Sequence, residues 1–404
     1  MTAPTRRTLS CAREVTDLVV AHYMSAVQAH SEGRKVAWST AVAAPSEILY
    51  SMGFQPLFPE NYACVSTVMK AAHDMINVSE AHDISRDLCS YTRCVMGSVL
   101  GCEAPLGGME TPDVLVSGKN VCITYLKWWQ LMANALKRPL YVIDCPRITE
   151  KIEDYQVKYV AEQLRNFGLE LEKITGKNLD EARLKEAVRL SDKAAELWRK
   201  VFEYRRSKPC PMGVTDSSAA MFPIVASAGT TEAVEYYERL LGEVSQRVKD
   251  GVGVIEDEKF RLLLSGIPFW HHLRLFNYLE DKYKAVFVHE LYTATWGIAS
   301  LNPTTPFESL AFKMLYNPTN MPQAWLEKWV VKIVKDFDVD GMVLLSSRSC
   351  KATSILNVAV QKFLREKHGI PSVIIEADHT DERAYSDAQA KAKLDIFMEV
   401  LGAK

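Results

Sequence analysis

The chain has 404 residues, room for two or three domains with ample core. Hydrophobic residues make up 48% and charged residues 24%, which excludes a disordered or fibrous chain. Lys+Arg number 48 against Asp+Glu 50, a formal charge of -2, so no basic footprint for nucleic acid is present. No run of about 18 apolar residues argues for a membrane span. The first twenty residues lack an apolar core with a small-residue cleavage site, so a cytoplasmic protein is expected.

Residues 12–32 read as a helix and GRKVAWST (33–40) as a short strand. PSEILYSMG (45–53) reads as a helix closed by Gly53, followed by the extended FQPLFP and a helix over 62–82. PDVLVSG (112–118) is a strand, CITYLKWWQLMANAL a helix and PLYVIDC (139–145) the next strand. Such alternation implies βαβ units and a parallel sheet. From 151 to about 206 two long charged amphipathic segments predict a helical hairpin, and SKPCPMGVTDSS (207–218) reads as a boundary. A second α/β pattern follows, with strands at 285–292, 341–347 and 371–378 among helices at 231–249, 307–316, 322–336, 352–367 and 384–402. The expected architecture is α/β: two Rossmann-like domains with parallel sheets, residues 1–150 and 219–404, with the hairpin and linker 151–218 between or beside them.

Nine cysteines are scattered along the chain. The odd count argues against a disulfide framework, and the lack of any C-x2-C pair against a zinc site. Buried, inert thiols are the plain alternative for each of them. Two nevertheless share a context. VLVSGKNVC and VLLSSRSC are each a strand, a serine-containing loop and a cysteine at the start of a helix. Carboxyl ends of parallel strands are where ligands bind, and a helix N-terminus favours a thiolate. Cys122 and Cys350 thus stand where thiolates are useful. In RDLCSYTRCVMGS, Cys89 sits in a polar, Arg-flanked segment unusual for a core thiol; Cys94 reads as a ligand or an apolar contact, and Cys102 is ambiguous. Three cysteines from separate segments suit an iron–sulfur cluster with an open coordination position. Cys11, Cys64, Cys145 and Cys210 are expected to have no metal role.

The segments WSTAVAAPSEI, FPENYA, DLCSY, SGKNVCITYLKWW, SSRSCK and the terminal ADHTDERAYSDAQAKAKLDIFMEVL resemble the 2-hydroxyacyl-CoA dehydratase / benzoyl-CoA reductase family, in order from about residue 33 to 402. The resemblance implies one of two related subunits of an oxygen-sensitive heterodimer. A separate ATP-hydrolysing iron–sulfur activator would deliver one electron at very low potential. It implies a 4Fe–4S cluster held by Cys89, Cys122 and Cys350 in the cleft between the domains, with the fourth iron open to water or a thioester oxygen. Reduction of an acyl-CoA thioester to a ketyl radical anion would then labilise a neighbouring hydroxyl or lead electrons into an aromatic ring. Glu60 of FPENYA corresponds to the acid/base carboxylate of the family's YPEN motif; capping of the following helix is its structural alternative. Large dehydratase subunits have Ser two positions after the Ser of WST, where this chain has Ala41; Ser39 and Thr40 keep hydroxyls nearby, and Ser39 is the candidate carried forward. The last motif is altered too, from GD-x-x-DPR to AD-x-x-DER at Asp378, Asp381 and Arg383, and no role is transferred there.

The leading expectation is a dehydratase large subunit; Ala41 leaves room for an aryl-CoA reductase subunit. A cluster-bearing electron-transfer or assembly protein without substrate would lack a cleft wide enough for an acyl-CoA. A plain two-domain binder with unliganded cysteines would lack iron altogether. His271 and His272 read as one core and one solvated histidine, Trp128, Trp129, Trp325 and Trp329 as core or subunit contact, and His289 and Glu290 as cleft candidates.

Overall fold

A computed structural model describes residues 7–42 and 45–403, so the first six residues of the segment read for a leader, and residues 43–44 of WSTAVAAPSEI, lie outside the described residues. Among the described residues, eight strands form two sheets of four. The first contains β1 (Val36–Ser39), β2 (Gln55–Leu57), β3 (Val114–Gly118) and β4 (Leu140–Ile143), in the order β2-β1-β3-β4. The second contains β5 (Phe260–Ser265), β6 (Ala285–Glu290), β7 (Gly341–Ser347) and β8 (Ser372–Ala377), in the order β6-β5-β7-β8. All pairings are parallel. The two halves therefore repeat one strand order, with a topological switch point between β1 and β3 and again between β5 and β7. Burial on both faces explains the near-continuous apolar runs of β1, β3, β6 and β7. The two expected Rossmann-like sheets are both present.

Sequence and structure part in four places. β5, FRLLLS, is a central strand that escaped sequence reading: it is built from leucines, which favour helices as readily as strands, and carries no β-branched residue. The helix expected over 62–82 is two helices, Pro59–Val68 and Ala72–Ala81, separated at Lys70 with φ of 64°. The segment around Cys89, read only as polar and Arg-flanked, opens the helix Ser90–Val99 with Cys89 as its N-cap. The two long helices, Asp154–Thr175 and Glu181–Tyr204, each take their main packing partner elsewhere. The first lies on the helix Pro306–Leu315, and the second on Thr231–Lys249 and Ser46–Ser51. Their charge patterns suggest surface helices, but Glu181–Tyr204 buries eleven residues, Trp198 among them. The lead-in helix Ser10–Ser31 packs chiefly against residues 214–249, which ties the start of the chain to its middle.

Candidate functional site

A cavity of about 340 Å3 lies between the carboxyl ends of the two sheets. Cys89, Cys122 and Cys350 all line it. Each is the N-cap of a helix: Cys89 of Ser90–Val99, Cys122 of Ile123–Leu136 and Cys350 of Lys351–Ser354. Cys122 follows β3 and Cys350 follows β7, the equivalent third strands of the two halves. Burial pushes all three thiols up, and for Cys89 the charges of Cys350 and Cys122 add to that. Backbone N–H groups of the first helical turn act the other way, from Thr92 on Cys89, Tyr125 and Thr124 on Cys122, and Thr353 on Cys350. Bare, the set stays protonated; a cationic centre would convert it into thiolates already facing helix amides. Among the described residues no three His, Cys, Asp or Glu groups converge tightly enough for a single ion. Three thiols that feel one another's charge around one cavity have the donor chemistry of an iron–sulfur ligand set.

Glu60 stands at the start of the helix Pro59–Val68 and lines the same cavity, 4% exposed. Its Oε2 accepts from the Ala41 amide at 3.2 Å. Tyr125, one turn after Cys122, approaches the carboxyl without a well-aligned bond to Oε1. These neighbours and the Glu60 amide favour ionisation, but burial outweighs them and raises the carboxyl to about 7. Glu60 sits in the first turn of its helix, but its carboxylate takes the Ala41 amide rather than capping that helix, and burial leaves it poised near neutrality. Ala41 lines the cavity, so the position where a serine was expected does face it. Ser39 is fully buried, its Oγ donates to the Thr40 carbonyl at 3.4 Å, and it is not among the lining residues.

A second layer joins the halves behind Cys89. His379, just after β8, is fully buried. Its Nδ1 lies 2.7 Å from Ser347 Oγ, and its Nε2 lies 3.0 Å from Ser90 Oγ and 3.8 Å from Cys89 Sγ. The Ser349 hydroxyl, which accepts the Ser90 amide at 3.1 Å, donates to Asp378. Arg93 crosses to Asp381 at 2.8 Å and to Glu80 at 2.7 Å, and Arg383 closes the same carboxylates from the other side. Asp378, Asp381 and Arg383 are thus members of an inter-half network. His271 is buried with Nε2 2.8 Å from the Asp378 carbonyl, while His272 pairs with Asp387 at 3.0 Å, the division expected.

His289 and Glu290 do not line the cavity. Glu290 is held by buried Arg205, and its Oε2 also accepts from Ser217 and Thr293, each at 2.9 Å; His289 packs between Phe202 and Phe337. Strand-end position alone overstated them. Trp329 lines the cavity, whereas Trp128 and Trp129 are core. Cys64 also reaches the cavity, with Sγ 3.1 Å from the Tyr91 hydroxyl; Cys94 is a core contact beside Met75. Tyr91, Tyr125, Arg147, Tyr292 and Trp296 are lining residues that sequence reading missed. Helical periodicity was a usable signal for Tyr125, three residues beyond Cys122. For Tyr292 and Arg147 no local pattern exists.

Two parallel half-sheets facing each other, with cysteine N-caps at equivalent switch points, define a pseudo-symmetric α/β protein built around an inter-sheet thiol site. The sequence model of the 2-hydroxyglutaryl-CoA dehydratase D-component matches residues 41–401, and the chain belongs to that family. It is 30% identical to lactoyl-CoA dehydratase subunit alpha of Anaerotignum propionicum, over 93% of each chain. It is 28% identical to the (R)-2-hydroxyisocaproyl-CoA dehydratase alpha subunit of Clostridioides difficile, over 96% of this chain and 95% of that one. A benzoyl-CoA reductase subunit of Thauera aromatica is also 28% identical, over 96% of this chain and 94% of its own. No described helix is long and apolar enough to cross a membrane.

Proposed function

We propose that the chain is the iron–sulfur, alpha-type subunit of an oxygen-sensitive 2-hydroxyacyl-CoA dehydratase, working in the cytoplasm with a homologous second subunit. A separate ATP-hydrolysing iron–sulfur activator supplies its electrons. The observation that carries the reading is the meeting of three cysteine N-caps and a near-neutral glutamate in one cavity. Cys89, Cys122 and Cys350 would hold a 4Fe–4S cluster with one iron free. When bound there, the cluster supplies a Lewis-acidic iron and a single electron at low potential.

The chain's own residues do the rest. Helix amides behind each thiol offset the charge of the donor set. Glu60, held near half-ionised at neutral pH, takes a proton from a bound substrate or returns one, with the Ala41 amide fixing Oε2 and Tyr125 beside it. The apolar walls exclude water from a reactive intermediate. A cavity of this volume argues for a substrate over electron relay alone. Ile123 and Ile355, 68% and 73% exposed beside the thiol site, support cover by a second subunit.

Ala41 favours a second reading, an aryl-CoA reductase subunit, because it leaves the cavity without the hydroxyl expected of a dehydratase. Anaerobic turnover of the co-expressed complex, with activator, ATP and 2-hydroxyacyl- or aryl-CoA thioesters, tests both. Water elimination supports the first, ring reduction the second, and inertness toward every thioester in an iron-replete complex overturns both.

A further inference from the structure

We propose that the acyl group taken into the cavity is uncharged and apolar, branched aliphatic or aromatic, and that acyl groups ending in a second carboxylate are rejected. This rests on the reading of the cavity as a thioester site. Beyond the thiols, its walls are mainly aliphatic and aromatic; Val225, Ile267 and Leu291 are buried there, with Val42, Met321 and Trp296 completing the surface. Among the described lining residues only Glu60 and Arg147 are acidic or basic. Glu60 repels a further carboxylate whenever it is ionised. Arg147 donates through Nη2 to the Val121 carbonyl at 3.0 Å and through Nη1 to the Thr319 carbonyl, but it is exposed, where solvent leaves an ion pair worth little. The adjoining small cavity, about 60 Å3, contributes Lys313, but that ammonium is held 2.7 and 2.9 Å from the two oxygens of buried Glu47. A carboxylate at the far end of an acyl chain, sunk among these walls, would therefore lose its water with no buried cation beside it to compensate. An apolar end gains by the same burial, and the faces of Tyr292 and Trp296 suit an aromatic ring.

The test is anaerobic calorimetric titration of the purified complex with thioesters that lack the 2-hydroxyl and cannot turn over: 4-methylpentanoyl-CoA, 3-phenylpropanoyl-CoA and glutaryl-CoA. Binding of the first two at least about tenfold tighter than glutaryl-CoA is expected. Met321→Lys, which offers a cation at a partly exposed wall position, should narrow that ratio, and Arg147→Gln should leave it in place. Glutaryl-CoA binding as tightly as the apolar thioesters, or losing its affinity on Arg147→Gln, overturns the proposal while the thioester site stands. No binding by any thioester overturns both.

Discussion

Nε2 of His379 lies 3.8 Å from Sγ of Cys89, although 290 positions separate them in the chain. A neutral imidazole carries one N–H. In the tautomer where the Ser347 hydroxyl donates to Nδ1, that proton sits on Nε2, facing Ser90 and the sulfur. With the proposed cluster in place and the ring in that tautomer, His379→Leu should lower its reduction potential, since an N–H aimed at a ligand sulfur favours the more negative, reduced state. The same change strands the buried Ser347 hydroxyl, at about 1–3 kcal/mol, while Ser90 keeps Ser349. Redox titration and thermal unfolding read the two effects separately; an unchanged potential would remove His379 from the site.

Glu60 sets a second expectation. Its carboxyl, raised from 4.5 to about 7, binds its proton more tightly folded than unfolded. Stability from this group is fully present below pH 4.5 and is lost as pH rises through about 7. Glu60→Gln should remove that dependence, with a difference on the order of 2–3 kcal/mol accumulating over the window. Denaturant unfolding at pH 5 and pH 8 measures it. In turnover, the same variant should lose the pH-rate limb near neutrality along with most activity, about 100-fold or more.

Serine at Cys89, Cys122 or Cys350 should strip iron and sulfide from anaerobically purified protein, while serine at Cys11 or Cys210 should leave both. Cys11 and Cys210 lie in the core away from the cavity, so they act as controls for folding. Iron analysis with visible absorbance decides; full iron content in Cys350→Ser would refute the shared site.

Gly266, at the turn after β5, has φ of 95°, and a Cβ there would fall 2.2 Å from the Leu345 carbonyl oxygen. Gly266→Ala should cost at least about 1–3 kcal/mol through strain at a position only glycine tolerates. Because Gly266 also lines the cavity, thioester affinity should fall with it. An alanine variant as stable as the parent would show that β5 and β7 can slide apart.

How far the sequence reveals this molecule depends on where its information is local. The strand–loop–cysteine–helix echo announced Cys122 and Cys350 because each motif is contiguous, and the repeated strand order explains why both end at one cavity. Glu60 was legible as a short motif, but its raised carboxyl depends on walls drawn from both halves. Ser39, the last residue of β1, stays off the cavity surface while Ala41 two positions on reaches it, because the chain leaves the strand between them and the Ser39 hydroxyl turns to the Thr40 carbonyl. β5 was hidden by its leucines, and His379 by distance: nothing near residue 379 indicates a thiol on the far half. The merit of His289 and Glu290 as site candidates disappears once Arg205, from another segment, occupies the carboxylate.

Two of the three thiols belong to the first half of the chain and the third lies beyond residue 341, after β7 has formed. A ribosome therefore releases Cys89 and Cys122 long before Cys350 exists outside the tunnel. If the three thiols share the proposed cluster, it cannot be loaded during synthesis of the first half, and a chain truncated before residue 350 would present an incomplete set of donors. Loading of the proposed cluster would thereby become a checkpoint on completion, one that only a chain carrying both halves, docked together, could pass.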